Sequence, residues 1–132
     1  MLFRSALGYA RDFPPLIGRI AKRMRERGVK VIANAGGVNP PACAAAVKAM
    51  AEKVGAKGKL RIGVVTGDDL LGRLDELMAA GHPLANMETG EPLSTVRDRV
   101  LSANAYIGSE PIAEALANGA NVVITGDRKS VV

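Results

Sequence analysis

Apolar residues return at helical spacing through Leu16, Ile17, Ile20, Ala21 and Met24, after the Pro14-Pro15 pair that opens a helix and before Gly28, which stops it. The next apolar run, residues 29–33, is short and β-branched and predicts a buried strand that ends in Asn34-Ala35-Gly36-Gly37-Val38-Asn39. Pro40-Pro41 then begins a second helix through Ala45, Ala46, Val47, Ala49, Met50 and Val54, closed by Gly55 and Gly58. A second strand is predicted over 60–65, followed by Thr66-Gly67-Asp68-Asp69. A third helix follows, with Leu70, Leu71, Leu74, Leu77 and Met78 as its apolar stripe and Gly81-His82-Pro83 as its end. Pro83, Gly90 and Pro92 mark a long ordered loop. Residues 100–106 then offer a third strand, 111–117 a short helix, and 121–125 a final strand.

Strands alternating with helices of this length predict an α/β fold: a partial Rossmann-like layer with a mostly parallel sheet and flanking helices. In such sheets ligands bind where the carboxyl ends of the strands emerge. Every predicted strand here ends in small or polar residues: Asn34 to Gly37, Thr66-Gly67-Asp68, Ser102-Ala103-Asn104 and Thr125-Gly126. The expectation is that Gly36, Gly37, Thr66, Gly67, Asp68, Ser102 and Asn104 share one rim.

At 132 residues with 48% apolar positions, the chain makes about one domain with a real core. No stretch approaches the roughly 18 apolar residues of a membrane span. The lone Cys43 excludes an internal disulfide and a cysteine zinc cage, and no signal core follows Met1; a reducing cytoplasm is the expected location. The ends differ from the middle. Leu2-Phe3-Arg4-Ser5 and residues 127–132 back-translate to opposite strands of a common sequencing adapter, so residues 6–126 are expected to be the native part of a longer parent chain. Without these ends the formal charge falls from +5 to +3.

The positive excess sits in Arg19, Lys22, Arg23, Arg25, Arg27 and Lys30, relieved only by Glu26. A nucleic-acid surface would add aromatic platforms or a reading motif, and with no Trp and four Phe and Tyr residues the segment reads as a solvated helix face. No nucleic-acid partner and no membrane partner is expected.

Gly36-Gly37 before the helix at Pro40 places flexible backbone beside a helix N-terminus, where anions are attracted, with Asn34 and Asn39 flanking; the same glycines also serve simply to turn the chain. A P-loop lysine and the third glycine of a dinucleotide fingerprint are both missing. Cys43 lies in the first turn of that helix, where the dipole favours thiolate, yet its alanine surroundings suit a small packed residue. His82, the one histidine, supports neither a two-histidine metal site nor a hydrolase triad. Asp68 and Asp69 are the candidate catalytic acids: one caps the following helix and the other faces the crevice. Glu88, Thr89, Glu91 and Arg97-Asp98-Arg99 form either a lid or a solvated loop. No metal and no specific cofactor follows from these residues.

Taken together, Leu7-Gly8-Tyr9-Ala10-Arg11-Asp12-Phe13, the run Asn34 to Pro40, Val64-Val65-Thr66-Gly67-Asp68-Asp69-Leu70, Ser102 to Gly108 and Pro111 to Leu116 resemble, in order and spacing, the N-terminal domain of the acyclic terpene utilisation protein A family. The resemblance covers essentially all of residues 6–126. It implies a bacterial cytoplasmic protein associated with catabolism of acyclic terpenes such as citronellol and geraniol through acyl-CoA intermediates. It transfers no catalytic residue. The implied partners are an anionic or acyl-CoA-like small molecule, the remainder of the parent chain and a second copy in a homo-oligomer. The competing class is a non-catalytic binding or assembly subunit.

Overall fold

A computed structural model describes residues 7–126; the two chain ends read as adapter-derived lie outside the described residues, as does Ala6 at the expected native start. The elements in chain order are α1 (Phe13–Arg27), β1 (Val31–Gly37), α2 (Pro40–Lys53), β2 (Ile62–Val64), α3 (Leu74–Ala79), α4 (Glu110–Ala117) and β3 (Val122–Gly126). The chain divides into two compact units: residues 7–66 with 107–126, and residues 67–106.

The first unit holds a three-stranded sheet in the order β1-β3-β2, parallel throughout. It is the expected α/β arrangement, consistent with a partial Rossmann-like layer. α1 carries the predicted apolar stripe inward through Phe13, Ile17, Ala21 and Met24. It ends where Gly28 takes a left-handed φ of +64° and donates its N–H to the Met24 carbonyl. α2 connects β1 to β2 and packs on all three strands. Val31, Ala33 and Ala35 of β1, Val122 and Ile124 of β3 and Ile62 of β2 face the α1–α2 layer, where Ile17, Cys43 and Val47 are fully buried. Alternation sends Val123 and Val65 to the other face, against Ile112, Ala115 and Leu116 of α4. Gly63 is needed there, because a Cβ at that position would stand 3.0 Å from Ala115 Cβ.

Two expectations are corrected. β1 does not stop at Ala33 but stays extended through Gly37, which pairs with Gly126 after an irregularity in register. The reason is that residues 8–10 lie along its outer edge: Ala10 N–H donates to Ala35 O, and Val38 N–H to Gly8 O. Residues 100–106, the offered third strand, make no strand; a single antiparallel bridge joins Asn104 to Asp69. Leu101 is 90% and Tyr106 62% exposed, so the apolar positions there have no sheet face to bury against.

The second unit contains a 3-10 turn (Leu71–Arg73) running into α3, with two further such turns at Leu93–Thr95 and Arg97–Arg99. The single helix predicted from Leu70 to Met78 is thus split. No helix among the described residues is long and apolar enough to cross a membrane.

Candidate functional site

The carboxyl ends of all three strands lie on one rim of the first unit. β1 leaves that rim into α2 on one face of the sheet, while α4, returning the chain to β3, packs on the other. Connections that part to opposite faces open a crevice at strand ends, the usual ligand position in open α/β sheets. Gly36, Gly37, Thr125 and Gly126 are brought together there. Val65 N–H donates to Ile124 O, which sets Thr66 beside them at the end of β2. The side chain of Thr66 is exposed and has no hydrogen-bond partner among the described residues. Thr125 is buried, and its hydroxyl donates to the Gly126 carbonyl at 3.0 Å.

Each glycine of β1 has its own reason. A Cβ on Gly36 would come within 2.6 Å of Thr125 O and 2.8 Å of Pro40 Cα, so β3 and the start of α2 close on this residue from both sides. Gly37 has φ +54°, the left-handed region that turns the chain into the helix. Asn34 is exposed on β1. Asn39 is the N-cap of α2: its Oδ1 accepts from Ala42 N–H at 3.3 Å, and its Nδ2 donates to Leu7 O.

That cap changes the anion argument. Pro40 and Pro41 have no N–H, Ala42 N–H is taken by the Asn39 side chain and Cys43 N–H by the Asn39 carbonyl. The first turn of α2 therefore presents no free amide, and a ligand on this rim meets Gly36, Gly37 and Thr66 rather than the helix end. The prolines were visible in the sequence; what they remove was the signal overlooked. Of the two readings of Cys43, the small packed residue is the one the fold realises. The thiol is fully buried, and burial pushes its pKa from 9.0 up to about 11, which keeps it a neutral packed group.

The remaining candidates belong to the second unit. Asp69 Oδ1 accepts from Leu71 N–H at 2.9 Å and opens the 3-10 turn. Asp68 Oδ2 accepts from Asn104 Nδ2 at 3.2 Å, and its carbonyl accepts from Ala105 N–H at 2.7 Å. The Asp69 contact is a local turn: Leu70 and Arg73, the residues at the N-caps of the 3-10 turn and of α3, carry no side-chain cap hydrogen bond. Gly67 has φ +103° and, like Ser102, is exposed. His82 is exposed in its turn. Glu88, Thr89 and Glu91 are organised by Asn86, whose Oδ1 accepts from the N–H groups of Glu88 and Thr89. Arg97 forms a two-pronged pair with Asp75, Nε to Oδ1 at 2.8 Å and Nη2 to Oδ2 at 2.9 Å. The hydrogen bond from Arg97 holds the Asp75 carboxyl below its ordinary pKa, and Arg73 does the same to Glu76. Asp75 was not singled out from sequence, since nothing local marks a partner 22 positions away. Among the described residues no three His, Cys, Asp or Glu side chains are placed to hold a metal ion.

The fold is that of an α/β protein with an open parallel sheet and a glycine- and threonine-lined strand-end rim. The chain belongs to the acyclic terpene utilisation family: the family model described as acyclic terpene utilisation family protein AtuA matches residues 3–129. No curated protein and no solved structure matches it.

Proposed function

We propose that this protein serves acyclic terpene utilisation by binding an anionic small molecule, an acyl-CoA or the corresponding carboxylate, at the strand-end rim of its first unit. The observation that carries the reading is the convergence of Gly36-Gly37, Thr66 and Thr125-Gly126 on one rim, with connections departing to opposite faces. Small residues let backbone approach a ligand closely, and Thr66 adds an unengaged hydroxyl. On this reading the protein works in a bacterial cytoplasm.

A second reading, a non-catalytic assembly subunit, is favoured by Ile32, which is 50% exposed on the face of the sheet that α4 covers only in part. Calorimetric titration with citronellate and its coenzyme A thioester separates the two. The first reading expects saturable binding that Thr66→Val weakens by about five-fold, the value of roughly one hydrogen bond, with an unchanged melting temperature. Absence of binding, or binding indifferent to Thr66→Val and Gly37→Ala, would return the rim to a purely structural role.

A further inference from the structure

Charge is segregated along this chain. Residues 13–61 hold eleven Lys and Arg against two acids, Glu26 and Glu52, whereas residues 67–106 hold three against seven acids. Within the basic stretch, Lys22 pairs with Glu26, while Lys30 and Arg61 donate to the carbonyls of Ala120 and Asn118. The other eight cations have no partner among the described residues.

α1 and α2 pack side by side on one face of the sheet, closely enough that a Cβ on Gly18 would meet Met50 Cγ at 2.7 Å. Because Ile17, Ala21 and Met24 point inward on α1, and Cys43, Val47 and Ala51 on α2, helical periodicity turns Arg19, Lys22 and Lys53 outward. Two grooves open on this layer. One, between α1 and the end of α2, has Gly18, Ala21 and Val54 along it with Lys22, Arg25 and Glu26 beside them. The other has Ala51, Ala56, Leu60 and Ile62 along it with Lys48, Glu52 and Lys57 at its margin. Each has an aliphatic floor and a border of two cations and one acid, and the unpartnered cations of α1 and α2 lie around them.

We propose that the outer face of the α1–α2 layer is a peripheral docking surface for an anionic lipid bilayer. Phosphate head groups fit the unpartnered cations, and glycerol and upper acyl carbons fit the aliphatic troughs between them. A peripheral surface of this kind needs no spanning segment, so the absence of a spanning helix among the described residues does not bear on it. Nucleic acid fits less well, because the exposed positions of α1 and α2 include no aromatic side chain on which a base could stack.

Flotation of the whole chain with phosphatidylcholine vesicles, with and without phosphatidylglycerol, tests this. The expected result is recovery with the anionic vesicles alone at low salt, lost at high salt, and at least about ten-fold weaker for Arg19→Glu/Lys22→Glu/Lys53→Glu/Lys57→Glu. Circular dichroism checks that variant; should it misfold, Lys53→Gln/Lys57→Gln must still weaken recovery by about three-fold or more. Arg99→Glu, a charge reversal in the acidic unit, must leave recovery unchanged. No recovery with anionic vesicles, equal recovery with neutral ones, or an equal loss with Arg99→Glu overturns the proposal. Retention on duplex DNA without any on vesicles overturns it in favour of a nucleic-acid surface.

Discussion

The two units of this chain are ordered by different forces. In the first, a parallel sheet is covered by α1 and α2 on one face and by α4 on part of the other, and burial decides the structure. In the second, Leu74 is the one buried apolar residue among those described, and polar contacts do the ordering: the Asp69 turn, the Asp68–Asn104 contact, the Asn86 turn and the Arg97–Asp75 pair. Burial is cooperative and insensitive to salt, whereas exposed ion pairs and caps are each worth little and respond to pH and ionic strength. The same chain should therefore show a robust region and a conditional one.

The largest effect expected is in the robust region. Ile124→Ala removes a fully buried side chain from the centre of the sheet and should cost about 2 to 5 kcal/mol in a denaturant melt. Gly36→Ala follows at about 1 to 3 kcal/mol, because the new methyl must displace backbone on both sides; a neutral substitution there would contradict the close approach of β3 and α2. Asp69→Ala should cost about 0.5 to 2 kcal/mol through loss of its turn, with Asp68→Ala clearly milder, and hydrogen exchange should locate the Asp69 loss in residues 67–106. Equal losses would erase the distinction between the two acids.

The smallest effect is the pH response of the conditional region. The folded pKa values of Asp75 and Glu76 are depressed by Arg97 and Arg73, so their contribution is complete above the ordinary carboxylate range and disappears as pH falls through the lower folded values. Amide exchange in α3 should rise in that acid window and with added salt, while β3 remains protected. Cys43 supplies the opposite sign in the robust region. Its raised pKa gives stability that is full below pH 9 and is lost as pH rises toward about 11. A thiol reagent at neutral pH should therefore label Cys43 only as the protein unfolds; prompt labelling of the native chain would contradict its burial.

This contrast also explains what the sequence could reveal. The stripe of α1, the run of β3 and the turn at Gly28 were legible because burial imposes a period on the residues that make it. The extension of β1 through Asn34 to Gly37 was not, since it depends on residues 8–10 and on β3, both distant in sequence. The run 100–106 has strand-like composition but no buried face, and composition alone cannot distinguish the two cases. At the candidate site the strand-end glycines and threonines were readable. The occupied amides of α2 needed the cap geometry, and the burial of Cys43 needed the packed core to overcome the helix dipole.

The most direct test of the strand-end site is to follow backbone amide chemical shifts of the chain as citronellate is added. Binding at the rim predicts saturable shifts at Gly36, Gly37, Thr66, Thr125 and Gly126, with residues 74–100 unmoved. Shifts confined to residues 67–106, or none at all, would contradict the account.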